Sequence, residues 1–224
     1  MPVTKRSSPM TIQVSAYKWV PDFAQGFVRD LRVRWALEEA GVPYEADLID
    51  VMNKGASYSR WQPFAQVPAY RDGEVEMFES GAIVIFLAGK YEALSPTDDA
   101  GRARVITWVL AALNSIEIHT AQLGAIDLFH KGEAWTVERR PQVIKDLEAR
   151  LAQLSEWLGD KDYLEGRFTA GDLMMATVFR EIDRTELLSK HPNLCAYLDR
   201  CTSRPAFKRA MEAQLQPFRE NEPA

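Results

Sequence analysis

A chain of 224 residues, 46% hydrophobic and 26% charged, is long enough for one large or two modest compact domains and has the composition of a globular protein. A net charge of −5 without a basic stripe argues against a nucleic-acid partner, and no apolar run approaches the length a membrane span needs. Cys195 and Cys201 are too few for a disulfide scaffold, and six residues apart on a helix they point in different directions; they read as small, partly buried apolar residues in a reducing cytoplasm.

Residues 1–10 are polar, with Lys5 and Arg6 but no apolar core of a signal peptide, and are expected to form a disordered tail. Residues 11–17 alternate with period two and predict a strand. A loop follows, containing Pro21 and ending at Gly26. A helix is predicted over 28–40, with Val28, Leu31 and Trp35 on one stripe and Gly41 as its stop. Residues 44–49 read as a second strand, parallel to the first because a helix crosses between them. The polar stretch 51–64, broken by Gly55 and Pro63, reads as an irregular helix or loop. Asp72-Gly73-Glu74 between two short apolar runs, 67–71 and 75–78, is a hairpin signal. Ser80 then opens a helix over 81–91 that is apolar nearly all round. The order is βαβ, an irregular link, ββα: an α/β domain over 11–93 with a mixed four-stranded sheet.

Beyond Leu94-Ser95-Pro96 every period is helical, which predicts an all-α domain over 94–224. Thr97 or Asp98 caps a long helix to about residue 122, and a second runs over 138–158. Thr169 and Asp172 form a capping box, with Phe168 and Leu173 placed as a hydrophobic staple. Shorter helices follow over 192–201 and 205–214. There is no internal repeat and no low-complexity segment.

Four stretches resemble a known family. Trp61-Gln62-Pro63-Phe64-Ala65-Gln66-Val67-Pro68-Ala69-Tyr70 is similar to an "NPxGxVPxL" segment, and Glu79-Ser80-Gly81-Ala82-Ile83 to an "ESxAI" segment at the usual distance. Arg32-Val33-Arg34-Trp35-Ala36-Leu37-Glu38-Glu39 looks like the first helix, and Phe168-Thr169-Ala170-Gly171-Asp172 like the capping box, of cytosolic glutathione transferases. The resemblance spans residues 11–218 and implies a thioredoxin-like N-terminal domain that binds glutathione, followed by a helical-bundle domain.

On that resemblance Pro68 is cis, and the Val67 N–H and C=O pair with the cysteinyl part of glutathione as an added strand would. Glu79 accepts from the γ-glutamyl ammonium, and the Ser80 N–H and hydroxyl donate to a carboxylate at a helix N-terminus. Gln66 is placed to bind the glycyl carboxylate. Read without the family, Pro68 opens an edge strand, Ser80 caps its helix and Gln66 is a solvated amide.

The thiol activator is where the chain departs from the family. Serine-type members carry an "SPxS" stretch before the first helix; here Gly26-Phe27-Val28-Arg29-Asp30 has no hydroxyl, and the preceding loop is longer. Tyr17 is the one hydroxyl close to the strand end and is the candidate donor, unless it packs against the core as a strand tyrosine. Arg29 is the alternative, as a charge that stabilises the thiolate, unless it is simply a solvated helix-start arginine. With no cysteine before Cys195, a mixed disulfide of the glutaredoxin kind is unavailable at this position.

Trp108, Ala112, Ser115 and His119 fall on one helical stripe, either an interdomain packing surface or, by family analogy, the wall of a pocket for a small hydrophobic electrophile. No His/Cys/Asp/Glu cluster points to a metal. The leading expectation is a glutathione S-transferase whose glutathione thiolate attacks an electrophile in the interdomain cleft. A glutathione-dependent disulfide or peroxide reductase on the same fold is one alternative, and a non-catalytic glutathione-binding protein is another. The family analogy implies a homodimer, with Tyr58 and Trp61 as candidates for its interface or for packing beneath the irregular segment.

Overall fold

A mixed four-stranded sheet of order β2-β1-β3-β4 opens the computed structural model, which describes residues 11–183 and 185–223. The tail expected over 1–10 lies outside the described residues. β1 (Ile12–Tyr17) pairs in parallel with β2 (Tyr44–Ile49), from Ile12↔Tyr44 to Tyr17↔Ile49. The crossover between them is α1 (Asp30–Ala40), closed by Gly41 at φ 66°, a left-handed C-cap that glycine takes at no steric cost. β3 (Ala69–Asp72) runs antiparallel to β1 and to β4 (Val75–Phe78), and Gly73 turns the hairpin at φ 62°. The stretch expected to be irregular contains a two-turn helix, α2 (Gly55–Trp61). α3 (Ser80–Lys90) follows β4.

Alternation along β1 divides the packing between the two faces of the sheet. Ile12 and Val14 join Leu31, Val33 and Trp35 of α1 and Ile83 and Leu87 of α3 in the main core. A second cluster of Tyr58, Trp61, Val67 and Ala69, with Tyr17, Val28 and Ile49 packed against it, covers the other face. Tyr58 and Trp61 are only 5% and 9% exposed, so they pack within the chain and are not surface aromatics.

The remainder of the chain is helical. α4 (Asp99–Ala111) is capped by Asp98, whose carboxylate accepts from the Gly101 N–H at 2.8 Å. The helix expected to stop near 122 continues as one rod to Phe129: α5 (Ile118–Gly124) lies between two π-helical segments, Ala112–Glu117 and Ala125–Phe129. α6 (Ala134–Leu158) starts a turn earlier than expected and keeps Pro141 inside. Its added turn is held by Glu133, whose carbonyl accepts from the Thr136 hydroxyl at 2.6 Å and whose carboxylate accepts from Trp135 Nε1 at 2.5 Å. α7 (Ala170–Phe179), buried on every side, is followed by α8 (Glu186–Ser189), a short helix with no counterpart in the sequence reading. α9 (Pro192–Thr202) and α10 (Pro205–Glu220) each start on a proline, where the missing N–H costs nothing.

Two contacts fix the site's framework. α10 returns to α1, where the buried Asp30–Arg34 pair (2.7 Å) is joined by Gln214, whose Nε2 donates to Asp30 at 2.7 Å and to the Val28 carbonyl at 3.0 Å. α7 lies so close to α4 that a Cβ at Gly171 would come 2.6 Å from Trp108 Cβ, and only glycine permits that approach.

The expected capping box is present, and its Asp172 does more than cap. Its carboxylate accepts from the Leu164 N–H, the Thr169 N–H and hydroxyl and the Tyr197 hydroxyl, all at 2.9–3.0 Å. Asp172→Ala strands these buried donors, and urea unfolding is expected to show a loss of about 3–5 kcal/mol with the slope unchanged. A loss below about 1 kcal/mol would show that water replaces the carboxylate.

Candidate functional site

The chain turns from β4 into α3 at Glu79, whose φ of 70° lies in the left-handed region that side-chain-bearing residues rarely adopt. The turn leaves Glu79 at the surface and buries Ser80 as the first residue of an 11-residue helix, whose free N–H groups and dipole favour an anion there. Behind Ser80 lies Arg32 of α1, 3% exposed, with Nη1 donating to Ser80 Oγ at 3.3 Å.

Glu117, at the end of the first π-helical segment, binds two arginines at once. Arg32 donates to Oε1 at 3.0 Å and to Oε2 at 3.3 Å, and Arg29 donates to Oε1 at 2.8 Å. Burial alone would raise the Glu117 carboxyl, but the Arg32 and then the Arg29 guanidinium outweigh it and hold the group below its usual range. Just after α7, Glu181 accepts from the Thr120 hydroxyl at 2.6 Å and stands 3.8 Å from Arg32. Burial pushes its carboxyl up, against the pull of Thr120 and Arg32.

Two adjoining hollows open above this network. The first, about 290 Å³, is polar on the sheet side, where Arg29, Arg32, Glu79 and Ser80 line it, and faces Leu113, Asn114 and Glu117 of the rod. The second, about 430 Å³, shares Arg29 and Ala121 with the first and is largely apolar, walled by Phe23, Phe27, Leu128 and Phe129. The Phe23 and Phe129 rings meet edge to face at 5.8 Å. Arg180 holds the loop that carries Phe27: its Nη1 donates to the Gly26 carbonyl at 2.6 Å, and its guanidinium lies 4.8 Å from the Phe27 ring centroid. A larger hollow of about 590 Å³, between the end of α1 and α10, contains none of the candidate catalytic or binding residues named from sequence, and its Arg34 and Arg209 are paired with Asp30 and Glu38.

Of the residues singled out from sequence, Arg29, Glu79 and Ser80 come together in the first hollow. Val67 and Pro68 are joined by a cis peptide, are buried, and precede β3, outside its paired registers. A hydrogen-bond relay pins this segment. The Ala69 N–H donates to Ser15 Oγ at 2.6 Å, Ser15 Oγ is 2.7 Å from the Tyr58 hydroxyl, and Tyr58 donates to the Gln66 carbonyl at 2.6 Å. Because Tyr58 has one proton and directs it to Gln66, Ser15 donates to Tyr58. The Gln66 side chain is at the surface. Tyr17 lies at the end of β1 against the Val67 cluster, with the Lys54 ammonium 5.5 Å from its ring centroid.

The stripe Trp108, Ala112, Ser115 and His119 does not face the two hollows. Trp108 and Ser115 line a separate hollow of about 220 Å³ against α6, and the Trp108 indole donates to Glu165, beyond that helix, at 2.7 Å. Ala112 is fully buried in the core, and His119 lines neither of the two hollows. Trp108, Ala112 and Ser115 do share a face, but it meets the core and α6; the extra residue of the π-helical segment displaces only later positions, His119 among them, by about 100° from regular α spacing. Arg32, Glu117, Thr120, Glu181 and the phenylalanine wall carried no functional role in the sequence reading. Arg29 and Arg32, three apart on one helix face, were a detectable signal; the carboxylates that join them are distant in sequence.

Among the described residues no group of three or more His, Cys, Asp or Glu side chains is placed to hold a metal ion. None of their helices is long and apolar enough to cross a membrane.

Comparison with known proteins finds relatives of both portions of the chain. Residues 31–90 match the family model of the glutathione S-transferase N-terminal domain, and residues 113–205 match that of the C-terminal domain. The chain is 27% identical over 203 residues to glutathione S-transferase F10 of Arabidopsis thaliana, covering 83% of this chain and 93% of that one. Its structure is similar to that of a glutathione transferase from Burkholderia graminis with two glutathione molecules bound per subunit (TM-score 0.77, 25% identity, 93% of this chain and 90% of that one). Poplar glutathione transferase F1 shares the fold at a TM-score of 0.79 and 22% identity, over 92% of this chain and 99% of that one.

The electrostatics of Glu117 can be measured directly. Its folded pKa lies below the usual 4.5, so its contribution is complete above about pH 4.5. As pH falls further the unfolded chain takes up the proton first, and the contribution is lost through the folded pKa. Between about pH 7 and pH 3.5, the wild type is therefore expected to lose more unfolding free energy than Glu117→Gln, which is itself destabilised at neutral pH by about 3–5 kcal/mol because Arg32 stays buried. Parallel stability curves would show that the pair does not discriminate between the charged and neutral carboxyl.

Proposed function

The chain belongs to the glutathione S-transferase family, and from that membership we propose that it binds glutathione in the polar hollow and directs its thiolate at an electrophile held in the apolar hollow. The observation that carries this reading is the convergence of Arg29, Glu79 and Ser80 on one hollow whose far wall opens into an aromatic one. Ser80, at the start of α3 with Arg32 behind it, suits the γ-glutamyl carboxylate. Glu79, turned outward by its left-handed backbone, suits the ammonium. The pinned Val67 backbone suits the cysteinyl amide, and Gln66 the glycyl carboxylate. The Burkholderia graminis neighbour, with its two bound glutathione molecules, supports glutathione as the co-substrate.

The thiol releases its proton to solvent, and the thiolate forms a C–S bond while either a leaving group departs with its electron pair or, in an addition, the displaced π electrons shift within the electrophile and take up a proton from solvent. Arg29 stands in the wall common to both hollows, where a cation favours a thiolate and the charge that develops beside it. The Tyr17 hydroxyl, beside the Val67 cluster, is the competing donor. A binding protein without catalysis is the second reading. It is favoured by the pairing of Arg29 with Glu117, which offsets part of the charge a thiolate would use, and by the lack of a hydroxyl over residues 26–30. The expected homodimer would cover the apolar side chains Met52 and Phe64, 90% and 65% exposed at either side of α2.

Following thiolate absorbance of bound glutathione against pH decides between these readings. The wild type is expected to hold the thiol well below its free value of about 8.5. Arg29→Gln should return it toward that value and Tyr17→Phe should leave it unchanged; the reverse pattern assigns the role to Tyr17. An unshifted thiol in the wild type supports the binding protein. Ser80→Ala is expected to weaken glutathione binding about tenfold by calorimetry, and absence of binding by the wild type would remove the proposed function altogether.

A further inference from the structure

We infer that Glu181 is a specificity residue for the second substrate: from the apolar hollow it selects apolar molecules that carry a neutral hydrogen-bond donor, such as a phenolic hydroxyl, over otherwise identical molecules that lack one. The inference rests on the apolar hollow being the second-substrate site.

Among the described residues the hollow is lined by only three polar side chains, Arg29, Thr120 and Glu181, set against the Phe23, Phe27, Leu128 and Phe129 wall. The donors nearest the carboxylates are committed. Arg29 donates to Glu117 at 2.8 Å, and the Thr120 hydroxyl directs its proton to Glu181 Oε2 at 2.6 Å. The other oxygen of Glu181, Oε1, is 3.8 Å from Arg32 Nη2, within ion-pair range but beyond a hydrogen bond. A carboxylate has about four lone-pair sites and carries charge, so Glu181, more than the neutral Thr120 hydroxyl oxygen, is the strong acceptor with capacity left in the hollow.

Its position is fixed and its carboxylate reachable. Phe179 and Ile182, on either side in sequence, are 0% and 1% exposed and anchor the backbone; Thr120 orients the head group; and the side chain itself is 27% exposed. An apolar molecule without a donor strips water from this carboxylate and returns nothing, whereas one with a donor replaces that water by a charge-assisted bond in apolar surroundings. Discrimination therefore comes from a penalty as well as an attraction. A cationic donor is disfavoured, because Arg29 and Arg32 stand beside the carboxylate, and an anion is repelled by Glu181 itself.

The test compares S-benzylglutathione with S-(4-hydroxybenzyl)glutathione by calorimetry on the full chain, as wild type, Glu181→Gln and Glu181→Leu. The wild type is expected to prefer the hydroxylated probe by about tenfold. Glu181→Leu should bring the two probes within about twofold of each other, and Glu181→Gln, which retains an uncharged acceptor oxygen, should fall between. Equal affinities in the wild type, or an undiminished preference in Glu181→Leu, would overturn the inference. The pair 1-naphthol and naphthalene, read by displacement of an apolar fluorescent dye, repeats the contrast without glutathione. If neither conjugate binds the wild type, the proposed function falls, and the naphthol contrast decides Glu181 by the same two outcomes.

Discussion

Arg32 and Glu117 are both withdrawn from water, the arginine 3% and the glutamate 6% exposed, and each is tolerable there only because the other is present. One comes from the first helix of the sheet portion and the other from the long rod of the helical portion, 85 residues later. Two hydrogen bonds between them fix direction as well as distance, since a guanidinium and a carboxylate meet well in few orientations. Arg29 shares the same carboxylate, and Ser80 shares the same guanidinium. The polar groups of the first hollow are thus arranged around a pair that neither portion could bury alone.

Three further devices hold that pair in place. The Asp30–Arg34 couple and Gln214 clamp the start of α1 to α10, so the helix carrying Arg29 and Arg32 is gripped from the face away from the site. The relay from Ala69 through Ser15 and Tyr58 to Gln66 pins the loop beside Val67, using side chains from β1 and α2 on the far face of the sheet. Asp172 gathers four donors at the start of α7, and the buried length of that helix delivers Glu181 to the edge of the second hollow. Each device is polar and buried, and of their side-chain polar atoms only Gln214 Oε1 is buried without a partner among the described residues, close to the condition under which polar groups stiffen a core and do not weaken it.

The two hollows differ in physical character while sharing a wall. One is lined by charged and hydroxyl groups and suits a zwitterionic tripeptide; the other is aromatic and suits an apolar molecule. Arg29 belongs to both, half exposed and bonded to Glu117, so a negative charge at the junction of the two hollows lies within reach of a guanidinium already oriented. Family membership accounts for the fold; Arg29 stands at this junction in a stretch, residues 26–30, that has no hydroxyl.

What the sequence determined by itself is whatever depends on a few neighbouring residues. The period-two strand at Ile12–Tyr17, the stop at Gly41, the Asp72-Gly73 hairpin and the Thr169–Asp172 capping box were all legible, because each is set by local backbone preference or by a hydrogen bond spanning a few positions. The order of those elements, with the Val67-Pro68 and Glu79-Ser80 segments, carried the fold and the family with it. The tertiary structure alone decided which face of the rod meets the sheet portion. Trp108 and Ser115 face a hollow against α6, while the π-helical segment at Ala112–Glu117, an inserted residue that regular helical spacing cannot register, ends on the Glu117 that meets Arg32. Tyr58 and Trp61 went inside for the same kind of reason, since burial depends on what the sheet's other face needs covered. Ion pairs between positions 85 residues apart leave no periodic trace; they exist because two withdrawn charges of opposite sign cost less together than apart.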